Sequence, residues 1–132
     1  MIKLTIILAL AVSLLSGCSG GGARMVNVTG FSPPAGVTAK PAARSIEVAW
    51  KPSPNEGDGD FAGYDLFYSQ KSLLLAGKKN LPEAMHFDKN THRAVIENLV
   101  AGRPYFIHVR SRKNSGEISQ PSLPEIVGVP LP

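Results

Sequence analysis

The chain has 132 residues, a formal net charge of +4, a 43% share of hydrophobic residues and one cysteine. That is room for one domain of about 100 residues with appendages, which excludes a second core. The positive charges are spread with no long basic run, which argues against a nucleic-acid partner, and one cysteine excludes an internal disulfide, so packing alone must hold the fold.

Behind Lys3, residues 4–15 are apolar except for Thr5 and Ser13. A helix over this stretch rises about 18 Å, well short of a hydrocarbon core of about 30 Å, so it reads as a cleaved export signal and not a permanent span. Leu15-Ser16-Gly17-Cys18 resembles the lipobox of bacterial lipoproteins. The resemblance implies that residues 1–17 are removed and that Cys18 becomes an acylated N-terminus. Each buried methylene adds about 0.8 kcal/mol, so several acyl chains make a lasting membrane anchor. Ser19 stands where the sorting rule of that family has Asp for inner-membrane retention. The expected place is therefore the cell envelope, and the outer membrane in a Gram-negative cell.

Residues 18–32 carry Gly20, Gly21 and Gly22 and little periodicity, as a flexible linker does. From Cys18 to Pro33 such a coil has an r.m.s. span of about 20 Å and a stretched reach of about 50 Å. All eleven prolines lie at Pro33 or later, which marks residues 33–132 as the domain.

Within it, Pro33 and Pro34 lead to a short first strand through Ala39, and proline suits an edge because it cannot donate to a ladder. Residues 45–50 alternate strictly, with Ile46, Val48 and Trp50 on one face, as in a half-buried strand. Residues 55–60 form a loop rich in Gly and Asp. Residues 61–68 read as a strand with Tyr64, Leu66 and Tyr68 inward and Phe67 outward. Residues 70–90 are the least regular part, and a short helical turn is expected there with Asn80 as cap and Pro82 in the first turn. From residue 92 a strand places Ala94 and Ile96 inward and closes at Leu99. Gly102 then turns the chain, and Tyr105 opens an alternation of Tyr105, Ile107, Val109 and Ser111 against Phe106, His108, Arg110 and Arg112. Residues 112–117 form a hairpin-like loop before a last strand near residues 123–129.

Leu99, Gly102 and Tyr105 have the spacing of a tyrosine corner, whose hydroxyl bonds back to nearby backbone. Together with Trp50 before Lys51-Pro52, and with Gly63-Tyr64, they make residues 33–129 resemble a fibronectin type III domain. The resemblance implies an all-β, immunoglobulin-like antiparallel sandwich of about seven strands, with the third and sixth adjacent. Outward Phe67 would then stand beside Phe106, His108 and Arg110, a candidate binding face whose aromatics and arginine have the composition of hot spots; the alternatives are that the face is ordinary sheet surface or is covered by residues 70–90.

No nucleophile elbow or histidine-rich metal motif occurs, so no enzyme, cofactor or metal site is expected. His86, Asp88 and His92 lack zinc spacing and read as a solvated loop. Asp58-Gly59-Asp60 resembles the start of an EF-hand loop but lacks its later Gly and bidentate Glu. The last hairpin loop lacks the Arg-Gly-Asp through which some fibronectin domains bind integrins. The expectation is a membrane-anchored, non-catalytic module that binds a protein or glycan, or else a structural accessory of an envelope or secretion complex.

Overall fold

The structure, a computed structural model, describes residues 30–132; the expected signal segment, Cys18 and most of the expected linker lie outside the described residues. The elements run β1 (Ala35–Ala42), β2 (Ser45–Lys51), β3 (Phe61–Ser69), a 3-10 turn (Lys78–Asn80), β4 (Met85–Asp88), β5 (Arg93–Ile96), β6 (Tyr105–Lys113) and β7 (Ile126–Gly128). They form two antiparallel sheets, ordered β1-β2-β5 and β4-β3-β6-β7.

Period-two alternation puts one apolar set of each strand between the sheets. Ile46, Val48 and Trp50 of β2 are buried with Tyr64 and Leu66 of β3, Ala94 and Ile96 of β5, and Ile107 and Val109 of β6. Trp50 and Tyr64 meet with ring centroids 5.6 Å apart, and Phe31 stacks on Phe61 at 5.3 Å at one end of the core. Each fully buried side chain of this size contributes about 1.5–3 kcal/mol, so the sandwich needs no covalent staple. The tyrosine corner is formed: the Val100 N–H donates to the Tyr105 hydroxyl at 3.0 Å, and Gly102 supplies a left-handed turn with φ of 80°. The C-terminal segment closes onto the first hairpin through Arg44 N to Leu131 O at 2.7 Å and Leu131 N to Ala42 O at 2.9 Å. The described residues thus enclose their own core.

Four local expectations are corrected. β1 continues to Ala42 through Pro41, which the edge position tolerates. The 3-10 turn ends at Asn80, so Asn80 is not its N-cap and Pro82 lies in the extended segment after it. Residues 85–88, expected as part of a loop, form β4, because Met85 and Phe87 pack against the core while His86 and Asp88 face water. The last strand is also shorter than residues 123–129, and what takes its place upstream decides the fate of the expected binding face.

Candidate functional site

β3 and β6 pair so that Phe67 lies opposite His108, Asp65 opposite Arg110 and Ser69 opposite Phe106. Phe67, Phe106, His108 and Arg110 do share the sheet face turned away from the core, and the Phe67 and His108 rings lie 5.2 Å apart. This face does not meet solvent: Phe67, His108 and Arg110 are 4%, 0% and 5% exposed, and Phe106 is half-buried. Of the alternatives for this face the covered one holds, and the candidate binding patch is a second, smaller core. Alternation reports which side of a sheet a residue takes and carries no information on what later covers that side.

Two segments form the cover. In the first, Leu73 is buried and a turn closes through Ala76 N to Leu73 O at 3.1 Å. In the second, residues 118–125 lie along β6, where serine hydroxyls replace strand carbonyls. Ser119 Oγ accepts from Ser111 N at 2.9 Å, and Ser122 Oγ accepts from Val109 N at 3.0 Å. The Glu125 carboxylate joins the two covers, accepting from Ser72 Oγ at 2.7 Å and Leu73 N at 2.8 Å.

Arg110 is a buried cation with no carboxylate pairing it among the described residues. It lies 5.7 Å from the Phe67 centroid, and donates from Nη1 to the Ser119 carbonyl and from Nε to His108 Nε2, both at 3.0 Å. His108 Nε2 thus accepts, which leaves the proton of the neutral ring on Nδ1. Burial, and then the neighbouring Arg110 charge, pull the His108 pKa down to about 4. Burial also lowers that of Arg110. The cluster is a polar core fastening the cover to the sheet.

Two polar clusters carry no clear mark in the sequence beyond Asp65 standing alone in an apolar strand. Asp65 Oδ1 receives His86 Nδ1 at 2.8 Å and the Arg112 guanidinium, whose Nη2 also donates to Phe87 O at 3.3 Å. Arg112 thereby ties β3, β4 and β6 together. Gly63 makes room for this: a Cβ there would stand 1.9 Å from Phe87 O and 2.9 Å from Arg112 Nη2. In the second cluster Glu56 turns inward from its loop to accept from the Tyr64 hydroxyl and meet His92 Nε2 at 2.7 Å, while Ser53 N donates to Tyr64 Oη at 2.9 Å. Burial and then the Glu56 bond push the Tyr64 hydroxyl well above its ordinary range. Burial opposes the Glu56 charge, yet the bonds with Tyr64 and His92 hold its carboxyl below the usual value.

His86, Asp88 and His92 are therefore not brought together: His86 joins Asp65, His92 joins Glu56, and Asp88 sits exposed on β4. In the acidic loop, Asn55 Oδ1 accepts from Ser32 N at 2.8 Å and its amide donates to Asp58 Oδ2 at 3.0 Å. All nine aromatic residues, five Phe, three Tyr and one Trp, fall in the described region, and every one is buried or half-buried. The exposed apolar side chains are aliphatic: Leu74, Leu75, Leu123, Val127, Val129 and Leu131 lie on the cover and on the C-terminal strand with its continuation, and Val95 and Val100 lie elsewhere.

The fold recurs among solved structures. The third fibronectin III domain of the human KIAA0343 protein is 22% identical, with a TM-score of 0.58 over 89% of this chain and 94% of that one. The FN1-FN3 domains of chicken CNTN1 give 18% identity and a TM-score of 0.59 over 77% of this chain and 32% of that one. A β-1,2-glucanase from Parabacteroides distasonis gives 16% identity and a TM-score of 0.60 over 77% of this chain and 13% of that one. The chain thus spans a minor part of the last two proteins, and these likenesses show the fold alone. No curated protein sequence matches the chain. The family description for the fibronectin type III domain matches residues 32–127, most of the chain and nearly all of the sandwich, and on that match the chain belongs to the fibronectin type III family.

Proposed function

We propose that this protein is a lipid-anchored envelope lipoprotein that displays one fibronectin type III domain as a non-catalytic binding module. The fold carries the reading, since the fibronectin type III domain is commonly a non-catalytic binding and adhesion module. The described clusters of ionisable groups agree with it, because each fastens strands or loops to one another. A partner is met by aliphatic side chains and by backbone, not by an aromatic platform, since all the rings are withdrawn into the two cores or half-covered. That favours a protein or lipid surface over a glycan, which aromatic faces would stack against. The glucanase name belongs to a protein of which this chain matches 13%, and it lends no catalytic role here.

The anchor rests on Leu15-Ser16-Gly17-Cys18 behind its apolar run. The test is metabolic labelling with an acyl analogue in bacterial cells. The expected result is label on the full chain and none on Cys18→Ser, which also keeps its leader. Equal labelling of both proteins refutes the anchor.

A further inference from the structure

Residues 70–82 contain Lys71, Lys78 and Lys79 and no acidic residue. Within them three consecutive leucines divide sharply: Leu73 is 5% exposed, Leu74 44% and Leu75 99%. Leu73 is buried, and its backbone N–H and the Ser72 hydroxyl are clamped by Glu125. The turn is further tied by Ala76 N to Leu73 O and by Lys78 Nζ to Ile118 O at 3.4 Å. Leu74 and Leu75 therefore project from a loop held at both ends. Leu123, 68% exposed, belongs to the second cover segment, two residues from the clamping Glu125.

We propose that this loop docks on an anionic lipid surface, with Leu75 and Leu74 entering the interface and Lys71 and Lys79 meeting lipid phosphates. A fluid interface accepts a single projecting leucine without a complementary cavity, and it rewards cations that flank the apolar tip. The charge of residues 70–82 is wholly positive, Glu83 follows only beyond Pro82, and the Glu125 carboxylate that packs against the loop is engaged in hydrogen bonds to the loop itself. The length of chain is sufficient: β3, one of the two longest strands, has nine residues and spans about 30 Å, against a fully extended contour of about 50 Å from Cys18 to Pro33. The inference adds a second membrane contact to the anchored module, but its test does not use Cys18, so the two readings fail separately.

The test is co-sedimentation of residues 30–132, which enclose their own core, with phosphatidylcholine vesicles with and without phosphatidylglycerol. The expected result is binding to the anionic vesicles that weakens in high salt. Leu75→Ser should lower the partition about tenfold, Lys71→Gln and Lys79→Gln about fivefold each, and Val95→Ser, on the opposite sheet, should leave it unchanged. Equal binding of Leu75→Ser and Val95→Ser, or no preference for anionic vesicles, overturns the proposal. So does capture of an acidic protein through the loop with no binding to either vesicle.

Discussion

Phe67→Ala distinguishes a covered outer face from an open one. The ring is 4% exposed, rests 5.2 Å from His108 and carries Arg110 5.7 Å from its centroid. Truncating a buried phenylalanine costs about 3–5 kcal/mol, and the desolvated cation–π contact accounts for about 1–2 kcal/mol of it. Against a total stability of about 5–15 kcal/mol the variant should be marginal. With a urea slope of about 1 kcal/mol/M, expected for a domain of about 100 residues, the midpoint of residues 30–132 should fall by about 3 M or more. A double-mutant cycle with Arg110→Met should return a coupling of about 1 kcal/mol, because the two side chains touch. A change below about 0.5 kcal/mol, the range of surface substitutions, would mean that the outer face is open and that the cover does not form.

Two further outcomes follow from the same geometry. His108 has its folded pKa at about 4 against an ordinary 6.5, so the unfolded chain binds more protons between these values. Its contribution is complete above pH 6.5 and is lost as pH falls toward 4, about 3 kcal/mol in all; His108→Leu should flatten that part of the stability profile, and an unchanged slope would refute the buried neutral ring. Gly63→Ala places a Cβ 1.9 Å from Phe87 O, so β4 must shift and the Arg112 bonds to Phe87 and Asp65 must loosen. Overpacking and the weakened charge-assisted bonds together predict a loss of about 2–5 kcal/mol, with amide exchange rising first at residues 85–88; exchange unchanged there would show that β4 does not lie against Gly63.

Much of the sandwich was legible along the chain because its signals are local. Ile46, Val48 and Trp50 alternate within one strand, and Leu99, Gly102 and Tyr105 build a corner from a single turn, so each pattern is complete within a few residues. β4 escaped notice because four residues are too few to display a period, and only pairing with residues 63–66 of β3 makes them a strand. Asp65 showed only as a lone acid in an apolar strand, since its partners His86 and Arg112 come from strands 21 and 47 positions away.

The sequence by itself determined the two sheets' inner faces, the corner and the side of the sheet on which Phe67, Phe106, His108 and Arg110 fall. Tertiary structure alone decided that this side is closed, because closure depends on Leu73 and on Ser119 and Ser122 folding back from outside the strands they cover. Their hydroxyls satisfy β6 amides that a longer last strand would otherwise have paired, and Glu125 then locks the two covers together. Periodicity is a property of one segment and its own backbone, whereas exposure is a property of every segment that later packs against it.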